Sequence, residues 1–192
     1  MRHSNFVIRI FPSPSLESPD MPAPFRSPAA LSRFFLVAAI GVALDLWTKY
    51  LAFSNLLLAG EPYRLIPGWL EFEVVINHGA VFGVGQGGRV IFVIVSFAAI
   101  IFLTYLFSAS RNRWGYQLLL GMLLAGVIGN LYDRLTYGYV RDMVHIFPRW
   151  PNLFPWVFNV ADSFLCVGVS LMVIYSLLAE QTQKKEGQKT HG

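Results

Sequence analysis

Charge is scarce in this chain of 192 residues: Asp, Glu, Lys and Arg together make up 14%, against about a quarter in soluble domains. With 55% hydrophobic residues and a mean hydropathy of +0.51, that shortage reads as a membrane protein of one bundle. The single cysteine, Cys166, excludes an intramolecular disulfide framework; inside an apolar run it reads as a small buried hydrophobe. His78 and His145 are the only histidines outside the tails. They read as exposed loop residues, and no metal-ligand set is visible. The net charge is +4 and the pI about 9.4, yet Lys and Arg flank apolar runs and form no basic stripe interleaved with aromatics. That argues against nucleic acid as a partner. No acidic residue occurs between Glu73 and Asp133, so Gly83-Val-Gly85-Gln-Gly87-Gly88 lacks the downstream carboxylate of a dinucleotide site and reads as a loop.

What the chain does have is long apolar runs. Residues 1–30, with six Pro and five Ser, read as a disordered tail; Met21 is an alternative start of translation. Four runs follow, Phe34 to about Leu58, Val90–Phe107, Tyr116–Leu131 and Val157–Leu178; the first is long enough to cross a hydrocarbon core of about 30 Å, and the four read as four crossings. Between the first two, Trp69 to Val74 alternates in type as a half-exposed strand does. Val140 to Phe147 is also strand-like, and Trp150, Phe154 and Trp156 suit an interfacial belt. The expected fold is an α-helical integral membrane protein, with four transmembrane helices and a small extracytoplasmic β element. Residues 31–179 form its membrane domain, and 180–192 a polar C-terminal tail.

Four crossings put both termini on one side. Nine Lys and Arg lie on that side and five in the two opposite loops, so the positive-inside rule assigns the termini to the cytoplasm. Asp45 lies about 18 Å along its helix at 1.5 Å per residue, in the outer half with Lys49. Asn77, Gly79, Asn130, Asp133, Arg134, Asp142, Asn159 and Asp162 all fall at the same outer face. Polar groups in a membrane segment are costly and mark functional sites, and this clustering implies one site near the outer surface. Asp45 and Lys49, four apart and so on one helical face, read both as a self-neutralising pair and as a support for that site.

Two carboxylates are the economical chemistry there. Close together they share a proton, so one can take a proton from water while the other polarises a carbonyl, which is peptide hydrolysis without a covalent intermediate. The residues leave Asp133, Asp142 and Asp162 as candidates; Asp133, next to Arg134, suggests an ion-paired or substrate-facing role. A rival reading is a small ion- or proton-coupled carrier. It would require polar groups through the full membrane depth, and the inner halves of all four runs carry no charge.

Five blocks then stand in order: Asp45-x-x-Thr48-Lys49, Asn77-x-Gly79-x-x-Phe82, Gly126-x-x-x-Asn130-x-x-Asp133-Arg134, Val140-x-Asp142 and Phe158-Asn159-x-Ala161-Asp162. In them the chain resembles the bacterial lipoprotein signal peptidases (signal peptidase II), over about residues 33 to 178. The resemblance implies that Asp142 and Asp162 are the catalytic pair. It gives supporting or substrate-contacting roles to Asp45, Lys49, Asn77, Gly79, Gly126, Asn130, Asp133, Arg134, Asn159 and Ala161. It further implies cleavage before a diacylglyceryl-modified cysteine of a prolipoprotein, in the bacterial inner membrane, with no metal or cofactor. The enzyme is expected to act as a monomer among membrane lipids. Arg134 is expected to meet a lipid phosphate or a substrate carbonyl. His78 and Val81 vary the asparagine block.

Overall fold

The computed structural model describes residues 27–79, 88–110, 113–150 and 152–189, the side chains of 57, 58 and 179–189 excepted. The leader before residue 27, the Gly83–Gly88 loop up to residue 87, and Phe82 lie outside the described residues.

Four helices carry the chain: α1 (Pro28–Ala59), α2 (Arg89–Ser108), α3 (Trp114–Thr136) and α4 (Val160–Lys189). Each holds a span long and apolar enough to cross a bilayer, where the helix satisfies every backbone polar group internally. Helix α1 starts six residues before its apolar run because Ser27 caps it. The Ser27 hydroxyl accepts from the Ala30 N–H at 3.3 Å, and Pro28 takes the first-turn position, where its missing N–H costs nothing.

Helix α3 is the hub, packed against α1, α2 and α4. Within its span 61% of the most apolar window is buried, against 17–28% for the others, and its mean hydropathy of 1.4 is the lowest of the four. The two facts share a cause: a helix that meets little lipid can carry polar side chains if its neighbours satisfy them. This also explains a departure from expectation. The third run ends at Leu131 by hydropathy, but α3 continues to Thr136 because Asp133 and Arg134 find partners inside the bundle.

Between α1 and α2 come β1 (Tyr63–Ile66) and β2 (Leu70–Asn77); between α3 and α4 come β3 (Val140–Ile146) and β4 (Val157–Phe158). They form one antiparallel sheet in the order β1-β2-β3-β4. The Pro67–Gly68 turn joins β1 to β2: Gly68 takes φ +77° and Trp69 N–H donates to Ile66 O at 2.9 Å, the Pro–Gly order of a type II turn. Strand β2 pairs with β3 so that Val75 lies opposite Asp142 and Asn77 opposite Val140. Val157 and Phe158 open the fourth apolar run, but they pair with His145 and Val144 as β4, and the helix starts only after Asn159. His145, expected in a loop, is within β3, where its Nδ1 meets Glu73 Oε1 at 2.7 Å. His78 is exposed.

The bundle has two zones. Phe34, Leu106, Phe107 and Leu120 are all at most 1% exposed, and the Phe34 and Phe107 rings stack at 4.3 Å, filling the end away from the sheet. Asp45, Lys49, Asn130 and Asp133, none more than 4% exposed, fill the sheet end. Cys166, expected to be buried, is exposed, since the α4 span is the least buried of the four.

Candidate active site

Helical spacing assembles most of the polar zone. Asp45 and Lys49 stand one turn apart on α1, and Gly126, Asn130, Asp133 and Arg134 recur at three- and four-residue intervals on α3. Asn77 ends β2, Asp142 is in the N-terminal half of β3, and Asn159, Ala161 and Asp162 begin α4. All these residues named in the sequence come together at the sheet end.

Lys49 is completely buried; its ammonium donates to Asp45 Oδ2 at 2.8 Å and Asn130 Oδ1 at 3.1 Å and forms an ion pair with Asp133 Oδ2 at 3.2 Å. Asp133 also receives Arg141, whose Nη2 and Nε donate to its Oδ1 at 2.8 and 3.2 Å and whose backbone N–H donates to Oδ2 at 3.0 Å. Two carboxylates thus face two cations, the condition under which buried charge is tolerated. Asp133 pairs with Lys49 and Arg141 rather than with its neighbour Arg134, because adjacent residues on a helix diverge. Arg141 was missed in the sequence. No sequence signal singled it out, because the adjacent Arg134 offered Asp133 a nearer cation. The Arg141 guanidinium also lies over the Tyr137 ring at 4.4 Å.

The glycines of α3 permit this closeness. A Cβ on Gly126 would stand 2.7 Å from Ala161 O, and one on Gly129 would stand 2.5 Å from Asp45 Oδ2. Ala161 in turn gives its N–H to Asp45 Oδ1 at 2.9 Å.

Asn159 and Asp162 form a reciprocal cap on α4. Asn159 Oδ1 accepts from Asp162 N–H at 2.9 Å, while Asp162 Oδ2 accepts from Asn159 N–H at 3.4 Å, as in a capping box. The Asn-x-x-Asp spacing carries that signal. Asn159 then joins the two outlying aspartates, since its Nδ2 donates to Asp142 Oδ1 at 2.6 Å. Asn77 Nδ2 donates to Asp142 Oδ2 at 2.9 Å, and Asn130 Nδ2 to Asp162 Oδ1 at 2.7 Å. Burial first, and then the charge of Asp162, push the Asp142 carboxyl up to about 7; the Asn77 and Asn159 amides and the Lys49 charge act against them. Arg134 Nη2 donates to Gly79 O at 2.8 Å and its guanidinium lies over the Phe92 ring at 5.1 Å. Gly79 N–H donates to Asn77 Oδ1 at 2.8 Å, so both backbone polar groups of Gly79 are held. Among the described residues no three His, Cys, Asp or Glu side chains are grouped to hold a metal ion.

Buried carboxyls fixed by side-chain amides, at the end of a four-span bundle, are the apparatus of an aspartic-type peptidase built into a membrane. Residues 37–178 match the family described as Signal peptidase (SPase) II. Curated relatives named lipoprotein signal peptidase include those of Enterococcus faecalis, 37% identical over 79% of this chain and 92% of that protein, and Gloeothece citriformis, 38% identical over 79% and 93%. A solved bacterial membrane enzyme, determined by the in meso method at 2.3 Å resolution, superposes with a TM-score of 0.68 at 31% identity, covering 79% of this chain and 90% of that one. A second, at 1.9 Å resolution, gives 0.64 at 30% identity. The chain belongs to the signal peptidase II family, and it is a multi-pass membrane peptidase.

Proposed function

We propose that this enzyme removes the signal peptide from diacylglyceryl-modified prolipoproteins, cutting before the lipidated cysteine, with Asp142 and Asp162 as its catalytic pair. The observation that carries the assignment is that Asn159 reaches both carboxyls at the sheet end of the bundle, Asp142 through its side-chain amide and Asp162 through its backbone N–H. Asp133, the third candidate, is fully engaged by Lys49 and Arg141, which leaves it no part in proton transfer.

Both oxygens of Asp142 accept a side-chain amide, at 2.9 and 2.6 Å, whereas Asp162 accepts one amide at 2.7 Å and a longer backbone N–H at 3.4 Å. The charged form is favoured more at Asp142, which we assign as the base, with Asp162 the acid. Asp142 takes a proton as a water oxygen attacks the scissile carbonyl carbon, and the Asp162 proton moves to the carbonyl oxygen. As the gem-diol collapses, the C–N bond breaks and the leaving nitrogen, the new N-terminus of the lipidated cysteine, takes a proton from Asp142. Asp162 recovers its own from the diol hydroxyl, so the pair ends as it began. Acyl chains anchored in the bilayer would hold the scissile bond at membrane depth. Asp45, Lys49, Asn77, Asn130, Asp133, Asn159 and Ala161 build the site, Gly126 lets α4 approach, and Arg134 steadies Gly79.

The positive-inside bias supports cytoplasmic termini and a site near the outer face of the inner membrane; the catalytic domain is taken as residues 31–179, which hold the four spans and the sheet. One chain supplies the whole site, which supports a monomer. A carrier is disfavoured by the apolar zone below the site, where Ala38, Leu103, Leu124 and Ala125 are buried.

Cleavage of a lipidated prolipoprotein in liposomes by wild type, Asp142→Asn and Asp162→Asn tests the assignment. Wild type should cut before the lipidated cysteine, and each variant, still folded, should lose activity. A variant with near-normal turnover would remove its residue from the pair.

A further inference from the structure

Resting on the reading of Asp142 and Asp162 as the pair, we propose that Lys49 is a positioning residue for catalysis, which acts through the amide of Asn130 and never touches the pair itself. An ammonium has donors only, so the Asn130 atom 3.1 Å from Lys49 Nζ must be the oxygen. The same oxygen takes Asn159 Nδ2 at 3.2 Å, which fills both of its lone pairs. The Asn130 NH2 is therefore turned toward Asp162 and donates to its Oδ1 at 2.7 Å.

A reversed Asn130 would set its NH2 against two donors and its carbonyl against a carboxylate. Lys49 makes that alternative costly, because its ammonium is held by a hydrogen bond to Asp45 and an ion pair with Asp133. The consequence reaches the reacting groups. With Oδ1 of Asp162 accepting from Asn130 at 2.7 Å and Oδ2 only from the Asn159 N–H at 3.4 Å, the acid's proton is favoured on Oδ2. The Asn159 amide, shared between Asn130 and Asp142, is held in the matching sense. A single buried charge on α1 thus selects which oxygen of Asp162 delivers a proton. Asp45 serves the same end from the other side, by holding Lys49 and the Ala161 N–H together.

The test uses the full chain in liposomes with a lipidated prolipoprotein. Lys49→Met removes the ammonium at similar length but strands the Asp45 charge, so a charge-balanced Asp45→Asn/Lys49→Met double variant accompanies it. The expected result is a fall in kcat of about 100-fold, the scale of a small misplacement of catalytic groups. It should appear in monodisperse, folded double variant, with KM within about threefold of wild type. In Lys49→Met the acidic limb of kcat/KM should also move to higher pH, because the Lys49 charge that helps Asp142 release its proton is gone. A folded double variant with wild-type kcat, or a pH limb unmoved in Lys49→Met, would overturn the proposal and leave Lys49 a purely structural ion. Asp142→Asn in the same assay separates the two levels. If it stays active, the catalytic pair is wrong; if it is inactive while the double variant is normal, only the role of Lys49 fails.

Discussion

Gly129→Ala sets two magnitudes of opposite sign against each other. In a helix interior, Gly to Ala ordinarily stabilises by about 1 kcal/mol, because the glycine chain has more freedom to lose. At position 129 the new methyl would stand 2.5 Å from Asp45 Oδ2, 3.1 Å from Asp45 Cγ and 3.2 Å from Ala161 Cβ. Comfortable contact is about 3.5 Å, so something must move by about 1 Å. Asp45 resists, since its oxygens are held by Lys49 at 2.8 Å and by Ala161 N–H at 2.9 Å. Overpacking of this kind costs about 1–3 kcal/mol, and stretching a buried ion pair adds to it. The expected net loss is about 2 kcal/mol, a fall in Tm of about 4–8 °C for a chain of this size, with kcat falling as well because Lys49 shifts with Asp45. Gly115→Ala on the same helix is the control. A Cβ there meets nothing within 4 Å, so that variant should gain up to about 1 kcal/mol. Thermal unfolding in detergent, with activity assayed in parallel, reads both. A Gly129→Ala variant as stable and as active as Gly115→Ala would refute the close packing of α3 on Asp45.

Two further outcomes are expected. Because the Asp142 carboxyl is pushed up to about 7, kcat/KM should rise as pH passes through about 7, where the base becomes ionised; an acidic limb near pH 4 would contradict it. The stability sign is fixed by the same shift. A folded value above the ordinary 3.8 contributes stability at low pH that is lost as pH rises through about 7, so the Tm of Asp142→Asn should gain on wild type between about pH 4 and pH 8. Asn159 has two separable duties. Asn159→Ser keeps a good helix cap and should hold Tm where Asn159→Ala loses about 1 kcal/mol. Both lose the Nδ2 group that donates to Asp142, and a serine hydroxyl stops short of that position, so kcat should fall in both; normal turnover by the alanine variant would show the bridge to be dispensable.

The spans were legible because each is a long, predominantly apolar run, and the Asp45–Lys49 pair because four residues make one helical turn. The ends of elements were less so. Hydropathy closes the third helix at Leu131, since a scale that scores Asp133 and Arg134 as exposed has no knowledge of Lys49, Arg141 or Gly79 waiting for them. Val157 and Phe158 are as apolar as the helix that follows, and only pairing with β3 makes them a strand. The polar cluster was visible as a cluster, but its wiring was not. Lys49 meets Asp133 from another helix, and Asp133 meets Arg141 across the turn into β3. Such partners are set by tertiary packing. Asn159-x-x-Asp162 was readable as a capping box, and would have tied Asp162 to the start of α4 before any fold was known.

The low hydropathy of α3 has a consequence for how the protein is made. A charged residue at the centre of a helix entering the bilayer costs about 2.5–3.5 kcal/mol at the insertion machinery, less toward the ends, and α3 offers Asn130, Asp133 and Arg134 near one end of a span with a mean hydropathy of only 1.4. The preceding α2, at 2.8, has apolar character to spare, and the connection between them is short. Entry of the two as a hairpin would let α2 offset the cost of α3. Without α1 and α4 around it, α3 would show lipid a set of unmatched polar groups, so its membrane stability depends on the complete bundle.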